Sequence, residues 1–399
     1  MQADRDRLKE AFDKGALLRP SPDRLNFVDL VRAVARLCGV EEFEADPGVD
    51  RLCREIGRAD HYVFILVDGL GLSLLETLPG KSFLRRAGAV PIQAVFPSTT
   101  ATAFTTLATG HWPSGHGIVG WWTYLVERRI SAVAVRFQGR FTGRSLEHLG
   151  FTSNDLYPLA SFWPNLRGGS LSILPAGIAH STFSAYVCGG APRSGYEEMD
   201  EAMDTILDSL SRRFGPSLVF LYLPQVDSLA HSLGPDHEKV RQALLSIEGS
   251  IQRLCESLRG KARIIITADH GQVVIPESRR FMLQRLDPLL RRLETYPTGE
   301  PNIPLFHVRG GEEERFYEDF KKRFGDFFSL LTPLDVEQLG LLGPGDLSAV
   351  TKNRIGTFMG VALEPAALFA GPPEESGCHN TGFHSGLTSA EMLVPLIIL

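Results

Sequence analysis

His61–Gly71 reads HYVFILVDGLG, an unbroken apolar run rich in Val, Ile, Leu and aromatic side chains that stops at an aspartate followed by glycine. With no polar alternation, such a run suits a β-strand buried on both faces, and the Asp68-Gly69 step marks its end as a turn. The pattern recurs downstream. PSLVFLYLPQVD (216–227) ends at Asp227, ARIIITADHG (262–271) ends at Asp269-His270-Gly271, and MLVPLIIL (392–399) follows shortly after His384. Strands of this kind belong to a mainly parallel sheet covered by helices, where ligands sit beyond the carboxyl ends of the strands. The expected fold is α/β: a three-layer αβα sandwich around a mainly parallel central sheet.

Residues 1–60 read as helical, because NFVDLVRAVARLCGV (26–40) and VDRLCREIGRAD (49–60) set apolar residues at helical spacing. They are expected to form an N-terminal extension packed on a catalytic domain of residues 61–399. Two stretches interrupt that domain. Residues 121–200 are rich in Gly, Ser and aromatics, and residues 275–370 hold the charged helical segment GEEERFYEDFKKRFGDFF between Pro/Gly-rich neighbours. Both read as insertions, the second as a small cap.

With 399 residues, 43% hydrophobic and 22% charged, the chain builds a core that needs no staples. Forty-one Lys plus Arg against 47 Asp plus Glu leave a net charge of −6, which argues against a polymeric nucleic-acid partner held by electrostatics. The five cysteines, Cys38, Cys53, Cys188, Cys255 and Cys378, form no CxxC pair and read as reduced thiols. The first residues, MQADRDRLKEAFDKG, lack the apolar core of a signal peptide, and no apolar run approaches the roughly 20 residues of a membrane span. The expectation is a soluble, cytoplasmic protein with no membrane partner.

The chemistry concentrates in a few segments. FPSTTATAFTTLATG (96–110) opens on hydroxyl residues that suit helix capping, continues with Ala101, Ala103, Phe104, Leu107 and Ala108 as a buried face, and stops at Gly110. One of Ser98, Thr99 and Thr100 is a candidate nucleophile, held where helix N–H groups attract a phosphate but needing activation. Metal ions are candidates to supply it. Asp68, Asp227, His231, Asp269, His270 and His384 are candidate ligands; Asp227 and His231 share a helical face at i and i+4, and Asp269-His270 caps a strand. Mixed His/Asp sets are what zinc accepts.

In this order the segments VDGLG (Asp68), FPSTTATAFTTLATG (Thr100), PSGHG (His116), DSLAH (Asp227, His231), ADHG (Asp269, His270) and FHSGLTSAEMLVPLII (His384) resemble the alkaline phosphatase superfamily, and within it the type I phosphodiesterase/nucleotide pyrophosphatase branch. The resemblance runs from about residue 60 to the C-terminus. It implies that Asp68, Asp269, His270 and the Thr100 oxygen hold one divalent cation and Asp227, His231 and His384 another, most often Zn2+ with Mn2+ the alternative. It selects Thr100 as the nucleophile, four residues after Phe96 and ten before Gly110. The implied reaction passes through a covalent phospho-threonine, with a small phosphate ester or nucleotide as substrate. His116 corresponds to no ligand in the family, and His379 is a lesser alternative to His384.

One departure stands out: nucleotide pyrophosphatases carry an asparagine soon after the HGI segment, where HGIVGWWTY places Gly120, Trp121 and Trp122. A backbone N–H or a group from an insertion is expected to replace that donor. Trp121 and Trp122 are candidates to stack on a nucleobase, or else form a packed wall. Sulfatases need a formylglycine precursor that STTATA lacks, and cofactor-independent phosphoglycerate mutases use serine in a longer chain. A phosphomonoesterase, a phosphonate hydrolase and a catalytically silent binding protein on the same fold remain as alternatives.

Overall fold

The computed structural model describes residues 2–44, 46–212, 217–371 and 377–399. The HYVFILV run forms the strand His61–Val67, in which every residue from Tyr62 to Val67 is buried. Successive side chains point to opposite faces, so burial of all of them requires cover on both sides. Two sets of helices supply it. Phe27–Leu37, Pro47–Ile56, Thr100–Thr109 and Thr182–Val187 touch one another in one set, and Phe83–Ala87, Met199–Ser211 and Glu238–Ser257 in the other.

The central sheet has seven strands, in the spatial order Val90–Gln93, Leu393–Ile398, Arg263–Thr267, His61–Val67, Ser217–Leu223, Ser170–Pro175, Arg193–Tyr196. His61–Val67 pairs in parallel with Ser217–Leu223 on one side and with Arg263–Thr267 on the other. The expected αβα sandwich is therefore present. Its last strand, Leu393–Ile398, runs antiparallel to both neighbours. That reversal has a consequence for the site: the segment leading into this strand, His384 included, arrives at the same edge that the parallel strands leave.

The two interruptions meet in one structure, although the first is shorter than expected, since Ser170–Pro175 and Arg193–Tyr196 belong to the central sheet. Phe328–Leu331, Phe358–Ala362, Ile303–Phe306, Thr298–Glu300, Trp122–Leu125, Ile130–Val133 and Gln138–Gly139 form a second seven-stranded sheet, antiparallel throughout. Among the described residues, only the pairing of Gly299 with Trp122 joins the later strands to the earlier ones. Both faces of its later half are covered, because Ile303, Leu305 and Met359 enter one apolar cluster while Phe306, Phe328 and Phe358 enter another. GEEERFYEDFKKRFGDFF supplies the helix Glu313–Phe324, whose Phe316, Phe320 and Phe324 are buried in the second cluster. Leu8 of the first helix, Gln2–Asp13, lies in the other. Buried Asp4 of that helix accepts hydrogen bonds from Tyr317, Lys321 and the Leu330 amide. The first helix thus packs on the second sheet, whereas Phe27–Leu37 and Pro47–Ile56 pack on the first. Among the described residues no helix is long and apolar enough to cross a membrane.

Candidate metal centre and active site

Three adjacent parallel strands end at one level and carry the acidic residues there. Asp68 follows Val67, and its amide donates to Leu223 O at 2.9 Å. Asp269 and His270 follow the neighbouring strand; Asp269 Oδ1 accepts from the amides of Gly69 (3.3 Å) and His270 (3.1 Å). Beyond the third strand the helix Gln225–Leu233 sets Asp227 and His231 one turn apart, with His231 Nε2 3.4 Å from Asp227 Oδ1. The rings of His270 and His384 stack with centroids 3.8 Å apart, and His231 meets His384 edge-on at 5.0 Å. Thr100 is the first residue of its helix, and its Oγ1 lies 3.3 Å from His270 Nε2.

The donor chemistry fits divalent cations. His231 Nδ1 lies 2.9 Å from Gly382 O, His270 Nδ1 3.2 Å from Gly271 O and His384 Nδ1 3.2 Å from Ser98 O. A carbonyl only accepts, so Nδ1 of His270 and of His384 carries the proton and these two rings present their Nε2 lone pairs, the arrangement metal-ligating histidines adopt, whereas His231 Nδ1 also has Asn380 Nδ2 at 3.1 Å. His270 Nε2 then faces Asp68 Oδ1 and Asp269 Oδ2, each 3.5 Å away, and neither oxygen has a hydrogen-bond partner among the described residues. Three lone-pair atoms aimed at one point repel unless a cation lies between them.

Burial sharpens this. Asp68, Asp269 and His270 are at most 2% exposed. Burial, then the charges of Asp227 and Asp269, hold the Asp68 carboxyl well above the carboxylate range, and burial lifts Asp269 to about 6. Burial lowers His270 to about 4 and His384 well below the usual imidazole value, so both rings are neutral at pH 7. A bound cation reverses the penalty on the carboxylates.

Among the described residues two sets bring one ligand atom from each member within 4.8 Å of the others: Asp68, Asp269 and His270, and Asp227, His270 and His384. The first contains the protein groups that the resemblance put beside Thr100. The second draws on His270, with His231 alongside Asp227. His379 is exposed and belongs to neither set. His116 is buried elsewhere, with Nε2 3.1 Å from Thr106 Oγ1 and Nδ1 accepting the Ile118 amide.

One expectation needs correction. The hydroxyls of Ser98 and Thr99 do not cap the helix: Ser98 donates to Gly386 O, and Thr99, at the cap position, donates to Glu300 Oε1 at 2.7 Å. The first-turn N–H groups are therefore left facing the site with no side-chain cap. Nor is the Trp121 amide free to replace the missing asparagine, since it donates to the same Glu300 Oε1 at 2.8 Å. The Arg140 guanidinium lies over one face of the Trp122 ring, 3.9 Å from the ring centroid.

Some site residues carry no motif. Tyr222 donates to Asp68 Oδ2, and Gln272 donates to Asp227 Oδ1. Tyr222 is the one hydroxyl in the run LVFLYL, and Gln272 stands two residues past His270, so a search beside the acidic strand ends finds both. Glu300 and Asn302 lie in YPTGEPNIP, where only the pairing of the second sheet brings them near.

The family model described as type I phosphodiesterase / nucleotide pyrophosphatase matches residues 62–386. Venom phosphodiesterase 2 of Crotalus adamanteus is 25% identical over 224 residues, 52% of this chain and 26% of that protein. Ectonucleotide pyrophosphatase/phosphodiesterase family member 3 of Mus musculus is 25% identical over the same length, 24% of that protein. The chain thus matches about a quarter of the length of these relatives. Among solved structures, murine ectonucleotide pyrophosphatase / phosphodiesterase 5 superposes with a TM-score of 0.64 at 17% identity, over 84% of this chain and 87% of that one. The human protein of the same name gives 0.64 at 20% identity with the same coverage, and the murine one is also known as an inactive variant in complex with AMP. With the match running through most of the chain, this protein belongs to the type I phosphodiesterase/nucleotide pyrophosphatase family.

Proposed function

We propose that this protein is a metal-dependent hydrolase of phosphate diesters or nucleotide pyrophosphates that works through Thr100. The observation that carries the reading is the convergence of the Nε2 lone pair of His270 with the unpartnered oxygens of Asp68 and Asp269, beside the Thr100 hydroxyl at an uncapped helix start. Asp68, Asp269, His270 and Thr100 are the groups to hold one cation, and Asp227, His231 and His384 a second. Oxygen and imidazole donors suit Zn2+, with Mn2+ the alternative. When bound, such cations lower the pKa of a hydroxyl and neutralise charge on phosphoryl oxygens.

The chain does the rest. Thr100 Oγ1, ionised, attacks phosphorus in line; the new O–P bond forms as the bond to the leaving oxygen breaks and that oxygen takes the electron pair. First-turn N–H groups of the helix face the phosphoryl oxygens and stabilise their charge. Water then attacks the phospho-threonine, releasing the phosphate product and restoring the hydroxyl. The AMP bound by the murine structural neighbour supports a nucleotide substrate here, with its phosphoryl group the one transferred to Thr100.

With zinc supplied, bis-p-nitrophenyl phosphate should be cleaved faster than p-nitrophenyl phosphate, and Thr100→Ala should abolish both reactions. The reverse preference assigns the protein to phosphomonoester or phosphonate hydrolysis. Bound metal with no turnover of either ester points to the silent binding protein.

A further inference from the structure

The second sheet reaches the catalytic edge at one turn. Gly299, at φ +73°, pairs with Trp122, and a Cβ on Gly120 would sit 2.6 Å from the Gly299 carbonyl carbon. Two bare backbones touch there, an approach that only glycine permits. It delivers two buried side chains to opposite sides of the site. Glu300 Oε1 accepts both the Thr99 hydroxyl and the Trp121 amide, immediately before the nucleophile and in the loop beyond it. Asn302 Nδ2 donates to His384 O at 2.8 Å and to Glu391 Oε1 at 3.2 Å.

The segment that Asn302 holds is not at rest. Ser385, next to His384, has φ +92°, which a residue with a Cβ rarely adopts and which persists only when the surroundings impose it. Those surroundings are Asn302, the Glu391 carboxylate that accepts the Gly386 amide, and the bridge from Ser385 to Ser98. His384 and Thr100 stand on different segments of the chain, and the same turn grips both.

We propose that Glu300 and Asn302 are positioning residues, by which the second sheet sets the nucleophile Thr100 and the metal-ligand candidate His384 at a fixed separation. The inference rests on the Thr100 reading above. Glu300 acts on attack and Asn302 on cation retention, so the two arms give different signatures.

The test uses the full chain loaded with zinc. Glu300→Ala should lower kcat about 10- to 100-fold, the loss expected of a nucleophile displaced by about 1 Å, with KM and metal content unchanged. Glu300→Gln should restore kcat, because its carbonyl oxygen still accepts both donors. Thr99→Val should lower kcat in the same direction and by no more than Glu300→Ala, and the double variant Thr99→Val/Glu300→Ala should lose no more than Glu300→Ala alone, since the Thr99 bond is already cut in it. Asn302→Ala should release one of two zinc ions to a competing chelator about tenfold more readily, an effect of the size seen for groups behind metal ligands. Folded Ala variants with unchanged kcat and unchanged zinc retention would overturn the inference, as would additive losses in the double variant. Thr99→Val and Asn302→Ser serve if either alanine variant fails to fold. An active Thr100→Ala would bring down the nucleophile reading and this inference together; an inactive Thr100→Ala beside an unimpaired Glu300→Ala would bring down this inference alone.

Discussion

Glu300 is a carboxyl group in a place where charge is expensive. Burial lifts it from 4.5 to about 7, against the opposing pull of the hydrogen bonds from Thr99 and the Trp121 amide. A carboxyl whose folded pKa is raised binds its proton more tightly in the folded chain. Its contribution to stability is therefore complete below about 4.5 and is lost as pH rises to and through 7. The size is about 3 kcal/mol, at 1.36 kcal/mol per pKa unit. Glu300→Gln has no proton to lose. The melting temperature of the wild type should fall relative to Glu300→Gln between pH 4.5 and pH 8; a difference that does not change with pH would show that Glu300 ionises as freely as an exposed carboxylate. The same residue bears on why Thr99 is no helix cap: a cap hydroxyl must accept from a first-turn N–H, and this one is oriented instead to donate to a carboxyl about two hundred residues away in the chain.

At the scale of elements, what the sequence discloses depends on how local the cause is. The strands around Asp68, Asp227 and Asp269 are legible because burial on both faces writes itself as an uninterrupted apolar run, and the ligand candidates follow because such strands present their carboxyl ends to a ligand. The helix from Thr100 to Thr109 is legible at its stop, Gly110 at φ +66°, but not in its surroundings. Thr102, Thr105, Thr106 and Thr109 are as buried as the apolar residues, two of them satisfied by back-bonds to Ala101 O and Thr105 O. The second sheet is illegible because its strands are of two to five residues and its halves lie far apart in the chain. Glycine carries the join. A Cβ at Gly299 would lie 2.5 Å from Ile303 O and 2.7 Å from Leu305 Cγ, in a backbone conformation that side chains resist. Gly299→Ala should cost about 2–4 kcal/mol of stability, strain and overlap together, and should lower kcat because Glu300 moves with it. A melting curve and kcat like the wild type's would mean that the turn yields without disturbing Thr99.

Over the whole molecule, charge is sorted along the strands, and the net −6 hides the sorting. At the end opposite the site lies a concavity of about 1740 Å³ lined by Arg54, Arg58, Arg86, Arg259, Lys261 and Arg263 among others. The helices Phe27–Leu37, Pro47–Ile56 and Glu238–Ser257 all finish at this end, so the cations meet the negative poles of helix dipoles. The opposite edge gathers Asp68, Asp227 and Asp269 with no Lys or Arg among the described residues that bond to them. Without a cation the buried carboxylates of Asp68 and Asp269 oppose folding; with one they support it, because a ligand that binds only the folded chain stabilises it by mass action, by about 2.7 kcal/mol at a hundred times its dissociation constant. The two regimes predict opposite effects for one substitution. At pH 8, above the value of about 6 that burial gives Asp269, Asp269→Asn in chelator should melt at or above the wild type, since it removes an ionised carboxyl from a site where it is 0% exposed and faces Asp68. With zinc added, the wild type should rise by several degrees and the variant should not follow. If Asp269→Asn loses stability equally with and without zinc, the carboxylate is a structural hydrogen-bond acceptor for the Gly69 and His270 amides, and the charge on this edge is not there to hold metal.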